Sequence, residues 1–177
     1  MKKDVQKGNR PMWLVALTTF LVVTLAGMVP SESFTAIPDF SGTWKLNEGK
    51  SEFGEGRFRA AATMEVKQDK MNLNVTRVRT GRNGQERSME SSYSLDGKET
   101  TSSTERRSTT STAKWSEDGK SLVIHSKSTF SRDGDTFEFT SDETWTLGDK
   151  GKTLSIQSKS SSSRGEFSYK AVYDLGE

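Results

Sequence analysis

KWSEDGKSLVIHSK, residues 114–127, is the stretch that decides how this chain folds. After the Asp118-Gly119-Lys120 signal, the apolar residues Leu122 and Ile124 alternate with Ser121, Val123 and His125. A period of two is the pattern of a strand with one face turned inward. Asp-Gly supplies the positive φ that a tight hairpin requires. The same object returns as TWTLGDKGKTLSIQSK at 144–159, with its Trp, Gly-Lys turn, Leu-x-Ile and Ser-Lys, and DKMNLNVT at 69–76 echoes its second half. One hairpin is being reused, which predicts a meander.

Working outward, alternation recurs in Met71-Asn-Leu73-Asn-Val75, Phe137-Glu-Phe139 and Phe167-Ser-Tyr169-Lys-Ala171-Val-Tyr173. Turn signals separate the runs at 69–70, 96–98, 133–135 and 149–152. No segment shows sustained helical periodicity. The strands expected are 42–47, 61–68, 71–79, 86–95, 98–106, 109–116, 121–130, 136–147, 153–161 and 166–175. The polar tracts at 100–113 and 158–164 are read as strands, because threonine favours strands and both tracts abut turns. The fold class is therefore all-β: an antiparallel up-and-down meander of about 8–10 strands. A meander of this length hides its edges best by closing into a barrel. Closure also suits a chain that is only 31% hydrophobic, since a barrel encloses a cavity where a sandwich needs a filled core.

Phe40-Ser41-Gly42-Thr43-Trp44-Lys45-Leu46 resembles the first-strand Gly-x-Trp motif of lipocalins and related calycin barrels. It also resembles the opening of small secreted bacterial proteins that begin Phe-Ser-Gly-Thr-Trp-Lys-Leu. The resemblance implies that Trp44 plugs the closed end and that Gly42 lets the backbone bend there. Lipocalins usually carry an arginine in the last strand that stacks on this tryptophan, where this chain has Lys170. Ten strands would stand closer to the fatty-acid-binding branch, whose helical lid is not evident in 47–60.

The N-terminus reads as an export signal over residues 1–33, followed by a single domain at 34–177. Lys2, Lys3, Lys7 and Arg10 form a basic region ahead of an apolar stretch at 13–29, and Ser31 and Ser33 suit a cleavage site. The alternative is an uncleaved inner-membrane anchor through residues 12–29. A secreted or periplasmic protein is expected, touching membrane only if that segment stays. Without residues 1–33 the chain has 22 basic and 22 acidic residues, which argues against nucleic-acid binding through phosphate neutralisation. The absence of cysteine excludes disulfides, Cys-held metals and a bacterial lipid anchor.

In an up-and-down meander alternate turns lie at one end. Near the turns at 69–70, 96–98, 117–120 and 148–152 the inward positions are apolar: Met71, Leu73, Tyr93, Leu95, Trp115, Leu122, Ile124, Trp145, Leu147, Leu154 and Ile156. This is the packed pole. Toward the opposite pole the same parity brings Arg77, Ser126, Ser128, Phe130, Phe137, Phe139, Ser158 and Phe167 inward. These eight are the expected ligand-binding residues at the barrel mouth. Arginines gather at this pole, among them Arg79, Arg87, Arg106, Arg107 and Arg164, and guanidinium forks suit carboxylate or phosphate. The alternative is that exposed loops carry charges paired with nearby acids. If Arg77 points inward it must meet an internal acid, Glu143 by parity, or a ligand anion.

No catalytic constellation emerges. His125, the sole histidine, alternates out of phase with Leu122 and Ile124 and is expected outside, which removes a Ser-His-Asp triad and a haem ligand. Asp142 and Glu143 face opposite sides of a strand. Gly49-Lys50-Ser51 lacks the preceding glycine of a phosphate loop. No cofactor or metal is expected. The residues point to a monomeric, non-enzymatic barrel for a small amphipathic, possibly anionic, molecule. The alternative is a cell-envelope structural or interaction domain with a filled barrel.

Overall fold

The computed structural model describes residues 37–54, 60–81, 83–132 and 134–176; the export segment read at 1–33 lies outside them. In chain order the first strands are β1 (Gly42–Leu46), β2 (Thr63–Gln68), β3 (Asn72–Thr80), β4 (Glu86–Ser94) and β5 (Thr100–Thr104). They are followed by β6 (Arg107–Trp115), β7 (Ser121–Arg132), β8 (Asp135–Gly148), β9 (Thr153–Ser162) and β10 (Gly165–Leu175). Their ends fall within two residues of those read from the alternation. Even β5, with no apolar side chain, forms as a strand: its threonines and serines pair with β6 from Thr100–Ser111 to Thr104–Arg107.

Every ladder is antiparallel. All but one join strands consecutive in sequence, and the exception, β1 with β10, closes the meander. One join is missing. β4 and β5 are consecutive yet share no ladder, and Thr100 Oγ1 donating to the Ser92 carbonyl at 3.1 Å bridges part of the seam. The result is a nearly closed up-and-down antiparallel barrel of ten strands. The Asp-Gly turns work as their chemistry predicts. Asp118 accepts from the Lys120 amide at 3.1 Å and from Ser116 Oγ at 2.6 Å, while Gly119 takes a φ of +67°. Residues 48–50 form a short 3-10 turn between β1 and β2, and Glu52 bridges to Lys170 of β10.

The core fills one end of the barrel. Phe40, just ahead of β1, is fully buried, stacked on Trp115 at 5.8 Å and edge-on to Trp145 at 5.7 Å. Trp44 is buried beside it and donates its indole N–H to the Phe40 carbonyl at 2.9 Å. Gly42 makes this corner possible. Its φ is +141°, and an added Cβ would meet Leu175 Cδ1 at 2.7 Å. Leu73, Val75, Leu95, Leu122, Ile124, Leu154 and Ile156 complete the packing, with Trp115 and Leu147 half-buried against them. Met71 departs from expectation: it is 51% exposed, because it belongs to the turn before β3 and not to the strand's inward row.

Candidate functional site

Above the packed end the apolar supply runs out and the barrel encloses a cavity of about 670 Å³. More than half of its lining residues are serine or threonine. The strand register arranges the lining in levels. The lowest level, where the packed end meets the cavity, runs Ala113, Ile124, Glu143, Ser158, Tyr169 across β6 to β10, and its last three residues line the cavity. Above it lie Thr100, Ser111, Ser126, Ser141 and Ser160, on β5 to β9. Next come Ser102, Thr109, Ser128 and Phe139, then Thr104, Arg107, Phe130 and Phe137 at the mouth. Hydroxyls therefore dominate the β5–β7 wall, and the phenylalanines stand together on β7 and β8.

The floor is an ion pair. Arg77 Nη2 meets Glu143 Oε2 at 3.0 Å, with the two side chains 13% and 19% exposed. Trp145 donates its indole N–H to the same carboxylate oxygen at 2.9 Å, and the Arg77 guanidinium lies 5.5 Å above the Trp145 ring. Tyr93 Oη accepts from Arg77 Nη1 at 3.4 Å. Burial works against the Arg77 charge, but Glu143 and Tyr93 outweigh it and hold the guanidinium above its ordinary pKa. Burial, reinforced by Glu143, pushes the Tyr169 phenol up to about 12. Of the two partners that parity allowed for Arg77, the internal acid is the one in contact.

Arg77, Ser126, Ser128, Phe130, Phe137, Phe139 and Ser158 all line the cavity. Phe167 does not. It keeps the inward parity of Tyr169 but lies beyond the part of β10 that pairs with β1, and it stands 41% exposed. Arg107, expected on the loops or strand ends of this pole, belongs to the lining itself. Arg107 faces the cavity and donates to Ser128 Oγ at 3.0 Å and Thr109 Oγ1 at 3.2 Å. Starting the sixth strand at 109 left it in a loop, although the parity of Trp115, Ala113, Ser111 and Thr109 leads straight to it. Arg79, two residues beyond Arg77, lines the cavity as well. His125 lies on the outer face, with Nδ1 2.6 Å from Asp142 Oδ1, so the histidine and the inward-facing Glu143 are on opposite sides of the sheet.

No protein-family model matches this sequence, and no curated protein is significantly similar to it. Among solved structures, the zebrafish ileal bile acid-binding protein in complex with cholic acid is similar at 15% identity. The match covers 77% of this chain and 98% of that one, with a TM-score of 0.49.

Proposed function

We propose that this protein is an exported binding barrel that holds a small amphipathic anion in the cavity between its packed end and its mouth. The observation that carries the reading is the division of the interior: one half packed, the other an unfilled space of about 670 Å³. That volume is in the range of small-molecule sites. The phenylalanines Phe130, Phe137 and Phe139 offer apolar contact. Arg107 offers a guanidinium oriented by two hydroxyls and without a carboxylate partner among the described residues. Arg77 serves differently. Glu143 neutralises it, so it supports the floor, while Arg107 stands at the mouth level of the lining.

Native mass spectrometry of the protein purified from its own host tests this directly. A co-purifying acid or lipid of a few hundred daltons is the expected result. Thermal-shift measurements with decanoate and oleate provide the second arm, with stabilisation of the protein expected. Clean protein in the first experiment together with no shift in the second would favour a structural barrel without a ligand. Export is tested by N-terminal sequencing of periplasmic or extracellular material, which should begin near Phe34.

A further inference from the structure

Thr100, Ser111, Ser126, Ser141 and Ser160 occupy one level of the barrel on five adjacent strands, and all five line the cavity. Strands lie about 4.8 Å apart, so the belt places a hydroxyl at each step along an arc of about 19 Å. Packing does not explain it. An interior filled for stability uses apolar side chains, as the level of Trp115, Leu122, Trp145 and Ile156 does one turn of the pleat pair below Glu143. Internal hydrogen bonding explains only part of it. Ser111 and Ser126 share a bond of 2.8 Å, while the Ser141 and Ser160 hydroxyls bond to no described residue. Ser160 is 8% exposed, and its hydroxyl opens onto the cavity it lines, within reach of a ligand or water there. Hydroxyls that face a cavity without a protein partner are free to bond a ligand or the water it displaces. Above the belt, Arg107 uses Nε and Nη2 on Thr109 and Ser128, which leaves guanidinium N–H groups for a carboxylate.

Building on the binding reading above, we infer that the ligand's head group is a polyhydroxylated acid of the sugar-acid type. Its hydroxyls lie along the Ser111–Ser160 belt, its carboxylate meets Arg107, and its apolar tail lies against Phe130, Phe137 and Phe139. A ring bearing several hydroxyls satisfies in one molecule what a simple fatty acid leaves open: each serine both donates and accepts, and each sugar hydroxyl does the same.

Titration calorimetry of the full-length protein with three probes below their micelle concentrations tests the inference: decyl glucuronide, decyl glucoside and decanoate. The glucuronide carries both hydroxyls and charge, and each of the others carries one. The glucuronide is expected to bind at least tenfold more tightly than either. In Ser141→Ala/Ser160→Ala the ratio of glucuronide to decanoate affinity should fall at least fivefold. In Arg107→Gln the ratio of glucuronide to glucoside affinity should fall by a similar factor. The wild-type comparison needs no variant to fold. Decanoate bound as tightly as the glucuronide would overturn the sugar-acid assignment and leave the binding barrel standing. A serine double variant with an unchanged ratio would remove the belt from recognition. Failure of all three probes to bind would count against the binding reading itself.

Discussion

Arg77 and Glu143 are largely buried side chains of opposite charge, and the worth of such a pair depends on which half is removed. Arg77→Met leaves the carboxylate with the Trp145 N–H but without its cation. Stranding a buried charge is far more damaging than replacing the whole pair, so the single substitution should destabilise the protein by about 3 kcal/mol. Arg77→Met/Glu143→Leu should recover most of that. Urea denaturation of the two variants checks the ordering, and a single variant as stable as wild type would mean the pair contributes nothing. Tyr169, close by, adds an alkaline signature. Its phenol titrates at about 12 in the folded barrel against an ordinary 10.0. The raised folded value means the native state keeps a proton the unfolded chain has lost. Its contribution is therefore complete below pH 10 and falls away as pH rises towards 12. Tyr169→Phe should flatten the loss of stability over that window, measured by denaturation at fixed pH steps; an unchanged slope would assign the alkaline loss to other groups.

At the scale of the strand, the elements were legible because alternation and Asp-Gly turns are local signals, each contained in a dozen residues such as 114–127. Inward parity was equally readable, and it brought Arg77 to Glu143 from strands 66 residues apart in sequence. Two features were not readable. Parity assigns a face but not the extent of the wall, so Phe167 was placed in the lumen although β1 stops short of it. The seam was hidden as well, since nothing in the composition of β4 and β5 separates a hairpin that pairs from one that does not. β5 has five residues, no apolar side chain and a single ladder partner, so little ties it across to β4. Strands with one partner open at lower free energy than strands with two. Hydrogen exchange followed by mass spectrometry should show Glu86–Ser94 and Thr100–Thr104 exchanging well before Ser121–Arg132 and Asp135–Gly148. Equal protection across these strands would mean that the seam is closed in solution.

Across the whole barrel, stability and the cavity compete for the same interior. The apolar residues of a chain only 31% hydrophobic are gathered at one end around Phe40, Trp44 and Trp145, and the other end is left to hydroxyls. If the serine belt existed to hold the barrel together, replacing its unpartnered members would weaken it. If the belt exists for a ligand, the same replacement should strengthen the empty protein, because sites built for binding are seldom optimal for stability. Ser141 and Ser160 separate the two cases, since neither bonds to a described residue and both line the cavity. Valine adds apolar contact and suits a strand better than serine. Ser141→Val/Ser160→Val should stabilise the ligand-free protein by about 1 kcal/mol, raising its Tm by roughly 3 °C. The same variant should lose decyl glucuronide binding. Scanning calorimetry with and without the glucuronide reads both effects in one experiment. A lower Tm in the empty variant would show that these hydroxyls support the fold, and the cavity would then be a consequence of a sparse core.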